Sequence, residues 1–315
     1  MRILKLATIA FFLLACGARA QAPAGSPFLL KPLGHNVWAA IDDAKGDAGA
    51  NAGFVIGDDG VAVIDTFENA AAARQMLAEI RKLTKLPVKF VINTHYHLDH
   101  VAGNGVFAET GAVVFAQRNV RTWIHTENRK FFGKEIKPEQ KALVEGLTAP
   151  EAVYDGGSVE LYLGARRIVV RYYPGHTGGD SVVEIPDAQV VFCGDLFWRK
   201  TLPNLIDASA GKWLETLAKL GGAHASATFV PGHGDAGNAG DVADFAQYIE
   251  GLRQMVVAEL RQEKKGAAVV EAVLPQLKER YGAWGYFEYF AKSNIVDMEA
   301  ELRGEKKIPQ PADAP

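Results

Sequence analysis

Short runs of β-branched residues alternate along this chain with stretches whose apolar side chains recur at helical spacing. Phe54-Val55-Ile56 and Val61-Ala62-Val63-Ile64 flank Gly57-Asp58-Asp59-Gly60, a turn signal that predicts a β-hairpin closed by Asp65. Residues 68–82 carry Met76, Leu77 and Ile80, with Leu83 just beyond, at the spacing of an amphipathic helix, and residues 88–92 read as the next buried strand. Further strand signals fall at 113–116, 168–173, 190–193 and 228–230, with helical stretches between them. This alternation predicts a layered α/β architecture. Each of the last three strands runs into a glycine-bearing loop: Pro174-Gly175-His176, Gly194-Asp195 and Pro231-Gly232-His233. Loops of this kind, at strand ends, are where α/β proteins concentrate chemistry.

After Asp241 the pattern becomes helical, with amphipathic segments at 242–262, 267–281 and 287–302. No Pro-, Ser- or Gly-rich linker sets them apart, so they read as an extension packed on the main domain. The expected organisation is a signal peptide at 1–20, a loose lead-in at 21–36, the main domain at 37–241, a helical C-terminal extension at 242–305 and a disordered tail at 306–315. Within the main domain, residues 118–140 look like an insertion rich in charge and aromatics, including Trp123, Phe131 and Phe132, able to roof a pocket or cover a sheet edge.

The N-terminal expectation rests on Arg2 and Lys5, an apolar run at 4–14 and the small-x-small pattern Ala18-Arg19-Ala20. These imply export to the periplasm or beyond, with cleavage after Ala20. The alternative is Leu13-Leu14-Ala15-Cys16 as an imperfect lipobox, which would make Cys16 a lipid anchor. The one other cysteine, Cys193, reads as a small buried hydrophobe, so the mature chain would hold no internal disulfide. A net charge of −3 offers no electrostatic footprint for nucleic acid, which leaves a small molecule as the expected partner and the oligomeric state open.

The chemistry centres on Thr94-His95-Tyr96-His97-Leu98-Asp99-His100, directly after the strand at 88–92. Alternate residues of an extended loop share a side, so His95 and His97 can grip one cation, while Asp99 and His100 in an opening helical turn can face a neighbouring one. A lone histidine is usually an ordinary packed or surface residue. Three imidazoles and a carboxylate within six residues are different, because their burial is costly without a cation or a dense polar network. His35, His125 and His224 have no ligand-like neighbours and are left out of the site; Asp65, ending a strand nearby, is a candidate to hold a ligand imidazole or the loop backbone.

The pattern His-x-His-x-Asp-His after a strand resembles the signature of the metallo-β-lactamase superfamily. Gly175-His176-Thr177, Cys193-Gly194-Asp195 and Pro231-Gly232-His233-Gly234 are similar to its later motifs, in order. The resemblance implies an αββα sandwich in which His95, His97 and His176 hold one metal and Asp99, His100 and His233 a second, with Asp195 bridging. It further implies two Zn²⁺ ions, with Fe or Mn as alternatives, activating a shared water for hydrolysis of an ester, thioester, lactone or lactam. Asp99 would orient that water and pass a proton, and Asn204, within Leu202-Pro203-Asn204-Leu205-Ile206-Asp207-Ala208, would donate to the substrate carbonyl or simply cap a turn.

Departures from the pattern narrow the branch. One lactamase subclass has cysteine in place of Asp195 and a lysine soon after, where Trp198 and Arg199 stand here and Lys200 is displaced; another lacks the bridging aspartate. The seven-ligand set looks like glyoxalase II and related general hydrolases. The C-terminal helices, with Trp284-Gly285-Tyr286-Phe287 and Asn294, are similar to those of exported, quinoprotein-associated zinc metallohydrolases. Flavo-diiron oxidoreductases, which have glutamate in place of His97, are set aside. The alternatives carried forward are a mononuclear iron, persulfide dioxygenase-like oxidoreductase and a glyoxalase II-like thioesterase, with a non-catalytic zinc module disfavoured by the complete ligand set.

Overall fold

Residues whose side chains are apolar on both faces form the centre of two stacked sheets in the computed structural model, which describes residues 25–42, 46–133 and 135–310. The first sheet has seven strands in sequential order: β1 (Phe28–Gly34), β2 (Val37–Asp42), β3 (Ala52–Ile56), β4 (Val61–Ile64), β5 (Val88–Ile92), β6 (Val113–Gln117) and β7 (Ala152–Tyr154). Its first four strands pair antiparallel, and β4 to β7 run parallel, as expected where helices replace hairpins in the connections. The second sheet contains β8 (Ser158–Leu163), β9 (Arg166–Tyr172), β10 (Ser181–Ile185), β11 (Val190–Trp198) and β12 (Thr228–His233), in the order β12-β11-β10-β9-β8.

Between the sheets lies a core of alternating inward side chains, among them Val37, Ala39, Val55, Ile64 and Ile92 from the first and Ile168, Val170, Val183, Val190 and Phe192 from the second. Helices cover both outer faces. On the first sheet these are α1 (Ala70–Leu83), which follows the reverse loop after β4, and, beyond the short α2 (Leu98–Val101), α3 (Asn104–Ala108). The connection from β6 to β7 carries α4 (Arg118–Trp123), α5 (Thr126–Phe131) and α6 (Pro138–Glu145). On the second sheet lie α7 (Ala210–Ala223), α8 (Ala239–Leu260), α9 (Ala267–Tyr281) and α10 (Phe287–Leu302), sharing one core with Val182, Val191 and Cys193. The architecture is thus the expected αββα sandwich, with the C-terminal helices forming part of its outer layer.

Two boundaries differ from expectation. The stretch read as a loose lead-in holds β1, whose Phe28 is buried and stacks on Phe67 with ring centroids 5.0 Å apart. Proline and glycine in 21–36 masked this strand, although Phe28-Leu29-Leu30 supplies its apolar residues. We expect Phe28→Ala to cost about 3–5 kcal/mol, visible as a lower urea midpoint; an unchanged midpoint would mean that the strand is dispensable to the fold. The tail, expected to be disordered from residue 306, is packed through residue 310. Lys306 Nζ donates to the carbonyls of Leu205 and Ala208 at 2.5 and 2.7 Å, and Trp123 Nε1 donates to Gln310 O at 3.1 Å. The expected signal peptide at 1–20, with cleavage after Ala20 or lipidation at Cys16, lies outside the described residues. No helix among those described is long and apolar enough to cross a membrane.

Candidate metal centre

Backbone geometry brings the ligand-bearing segments together at one end of the two sheets. β5 ends at Ile92, so the following Thr94 to His97 run out over the sheet edge, and α2 turns Asp99 and His100 back toward it. β11 continues beyond the expected strand end to Trp198, and its pairing with β12 shifts register around Gly194, which has φ +50°. A Cβ at Gly194 would lie 2.2 Å from Thr94 Oγ1, and one at Gly232 would lie 1.8 Å from Asp195 Oδ1. Only glycine at these two positions lets the strand and the histidine loop approach so closely.

The result is two adjacent sets of donor atoms. His95, His97, His176 and Asp195 form one, all buried; Asp99, His100 and His233 form the other. Asp195 Oδ2 faces the first set, 3.3 Å from His176 Nε2 and 3.7 Å from His95 Nε2. Its Oδ1 faces the second, 3.1 Å from His100 Nε2 and 3.4 Å from His233 Nε2. Asp99 Oδ2 lies 3.3 Å from His233 Nε2 and 3.5 Å from His100 Nε2, and His176 Nε2 lies 3.0 Å from His97 Nδ1. All seven candidates therefore converge. His35, His125 and His224 do not join them; His125 Nδ1 pairs with Val144 O and His224 Nε2 lies 3.5 Å from Glu184.

Outer partners fix which nitrogen three of the imidazoles present. Asp65 accepts from Thr94 N at 2.8 Å and Thr94 Oγ1 at 2.7 Å, and its Oδ2 sits 2.9 Å from His100 Nδ1, which leaves His100 Nε2 facing inward. Thr94 Oγ1 in turn meets His95 Nδ1 at 3.1 Å. The expected supporting role of Asp65 is thus visible in geometry. Sequence reasoning missed Asp207, whose Oδ2 accepts from Tyr96 Oη at 2.5 Å and lies 3.4 Å from His97 Nε2, turning His97 Nδ1 inward. It also missed Asp180, which accepts from the backbone N–H groups of Gly175 and Thr177 at 3.0 and 2.7 Å and so shapes the loop bearing His176. Trp198 stacks on His233 with centroids 3.9 Å apart, while Asn51 Nδ2 donates to Pro231 O and Gly234 O on either side of it. We expect Asp207→Ala to weaken metal affinity about 10–100-fold, read by competition with a chromogenic chelator; unchanged affinity would reduce Asp207 to a partner of Tyr96 alone.

The electrostatics divide in the same way as the donors. Burial, reinforced by the charge of His100, holds His95 well below the usual imidazole range, and burial takes His176 down to about 3. Burial opposes protonation of His100 and His233 too, but facing carboxylates, Asp195 first, outweigh it, raising His100 well above its ordinary value and His233 to about 9. Burial likewise disfavours ionised Asp99 and Asp195, yet the surrounding histidines keep both well below the usual carboxylate range. His95 Nε2, His100 Nε2, His233 Nε2 and Asp195 Oδ1 nevertheless lack a hydrogen-bond partner among the described residues. Buried polar atoms left unpaired cost about 1–3 kcal/mol each, and a cation facing all of them is what such a donor set fits.

The family profile for the metallo-beta-lactamase superfamily matches residues 46–233, a span containing every one of these ligands. The chain belongs to that superfamily. Its curated relatives include a linear primary-alkylsulfatase of a Pseudomonas species, 24% identical over 211 residues, with 56% of this chain and 40% of the relative covered. A hydroxyacylglutathione hydrolase of Mesorhizobium japonicum is 29% identical over 173 residues, covering 55% and 56%. The chain thus spans about half the length, or less, of these relatives. Among solved structures, a metallo-beta-lactamase from Pontibacter korlensis aligns with TM-score 0.59 at 21% identity, over 71% of this chain and 99% of that one. One from Hirschia baltica gives TM-score 0.56 at 20% identity, over 71% and 97%. These similarities confirm the fold. The His/Asp cluster adds to the superfamily membership a set of donors able to hold metal ions.

Asn204 borders the same cleft, and its Oδ1 accepts from Ile206 N at 3.0 Å, so it both caps a turn and faces the site. The insertion at 118–140 reaches the cleft, the first of the two roles expected of it. Trp123 is buried against Tyr96, with centroids 5.7 Å apart, and Phe131 meets the His97 ring edge-on at 5.1 Å. Arg199, near where one lactamase subclass has a lysine, is paired with Asp241 at 2.9 Å.

Proposed function

We propose that the protein is an exported, binuclear zinc hydrolase acting on a carbonyl substrate: an ester, thioester, lactone or lactam. The observation that carries this reading is Asp195, whose two oxygens face two different ligand sets. His95, His97 and His176 would hold one ion and Asp99, His100 and His233 the other, with Asp195 between them. When bound, the ions supply the Lewis acid that makes water nucleophilic near neutral pH and polarises the carbonyl.

The chain's own groups complete the chemistry. Asp99 is half-buried at the cleft floor and anionic at neutral pH, so its carboxylate can orient the attacking water and carry its proton toward the leaving group. Asn204 has its Oδ1 engaged by the backbone, which leaves its Nδ2 as the group offered to a carbonyl oxygen. Phe131 and Trp198 shield the floor from bulk water. The thioesterase form of this reading has support in the hydroxyacylglutathione hydrolase relative. Export rests on the Arg2/Lys5, 4–14 and Ala18–Ala20 pattern.

Elemental analysis of purified protein, combined with assays on an aryl ester, a lactone, a thioester and a chromogenic cephalosporin, tests the reading. About two zinc ions per chain are expected, with turnover lost to a chelator and restored by zinc. About one iron per chain, with oxygen consumed on a persulfide, would instead establish the oxidative alternative. Absence of any transition metal would overturn both.

A further inference from the structure

The cleft over the ligands has about 350 Å³ of space and walls made largely of rings: Phe131, Phe132, Trp198, Tyr286, Tyr289 and Phe290. They arrive from separate elements, the insertion after β6, the end of β11 and the start of α10. Three stay conspicuously open to solvent: Tyr289 is 79% exposed, Tyr286 44% and Phe131 42%. Exposed aromatics scattered singly need no explanation, but here they share the rim of one cleft whose floor holds the catalytic groups. Tyr286 even adopts φ +58°, a left-handed conformation unfavourable for a large side chain, and from there its ring lies 5.9 Å from that of His233 and 6.2 Å from that of Trp198.

The charge that the side chains themselves bring to the cleft is one-sided. Glu68, Asp99 and Asp195 line it, and no lysine or arginine does so among the described residues. Of the cations on the flanking elements, Arg129, Lys200 and Lys292 do not line the cleft, and others are committed elsewhere. Lys130 pairs with Glu127, Arg199 with Asp241, and Lys306 donates to the carbonyls of Leu205 and Ala208. With Asp99 and Asp195 committed to the metal centre, Glu68 remains as an additional negative group at the wall. A substrate bearing a remote carboxylate, sulfate or phosphate would meet rings and a carboxylate there, and burying an anion without a partner is costly. An uncharged aryl or similarly apolar group would meet ring faces and edges at stacking distance.

We propose that this cleft selects uncharged carbonyl substrates carrying an aryl or comparably apolar group, and discriminates against substrates with a second, anionic group. The proposal builds on the hydrolase reading, yet it concerns recognition and can be tested apart from turnover. Within the thioesterase form of that reading it favours uncharged thioesters over a glutathione thioester, whose carboxylates are remote from the reacting carbonyl.

Calorimetric binding of three uncleaved amides to the zinc-loaded protein would test it: 3-phenylpropanamide, butanamide and the anion of glutaramic acid. The aryl amide is expected to bind at least about tenfold more tightly than either other ligand, and the Phe131→Ala/Tyr289→Ala double variant is expected to erase that preference. In parallel, pH-stat hydrolysis of methyl 3-phenylpropanoate, methyl butanoate and monomethyl glutarate should give kcat/KM values in the same order. Glutaramate binding as tightly as the aryl amide, or an aryl preference that survives the double variant in folded protein, would overturn the proposal. Selective binding of the aryl amide with no ester turned over would instead defeat the hydrolase reading and leave this one standing.

Discussion

Replacing Asp99 by asparagine is expected to lower turnover of any accepted ester or lactone by about 10²–10⁴-fold with the metal still bound. Asp99 Oδ2 lies beside His100 and His233, and its side chain is the more open of the two candidate ligand carboxylates at the cleft, being 28% exposed against 3% for Asp195. Asparagine retains an oxygen that could still face the second ligand set. It loses the negative charge, and an amide cannot relay a proton at neutral pH. The combined measurement is kcat with metal content on the same preparation. Wild-type turnover at full metal loading would remove Asp99 from the mechanism.

Asp195→Ala should act on binding and stability together. Removing this carboxylate takes one donor from each ligand set, so metal content should fall below two ions per chain, and affinity should drop by more than the roughly 10–100-fold typical of an outer partner. Asp195 is also the leading charge that supports protonated His100 and His233 in the metal-free protein. Removing one partner of a buried ion pair costs about 3–5 kcal/mol, so the chelated variant should melt well below chelated wild type. Full metal content in Asp195→Ala would show that the two sets do not share this residue.

The candidate ligands were legible in the sequence because each stands at or soon after the end of a run with a strong apolar signal. Ile92 and Tyr172 end β5 and β9, and Cys193 and Val230 close the apolar runs within β11 and β12, with the candidate ligands next or nearly so. The αββα layering was legible for a related reason, since β4 is wholly apolar, and β6 up to Gln117 and β11 up to Cys193 are apolar runs of the kind that parallel, doubly covered strands require. The supporting residues were less visible. Asp207 is 110 residues from His97 and in an irregular segment, with no periodicity to tie the two together. Asp180 sits in Gly178-Gly179-Asp180, which reads equally well as a simple turn. Strand β1 was hidden by Pro32 and Gly34, and the tail by a polar composition that conceals how deeply Lys306 reaches between carbonyls.

Four of the seven ligands follow the first sheet and three belong to the second, so the donor cluster spans the seam where the layers meet. Cations seated there would act as a rivet as well as a catalyst, because their binding energy is recovered only while both layers stay closed. Where its metal is scarce, this protein would then be easier to melt and to digest, so scarcity would shorten its lifetime as well as empty its site.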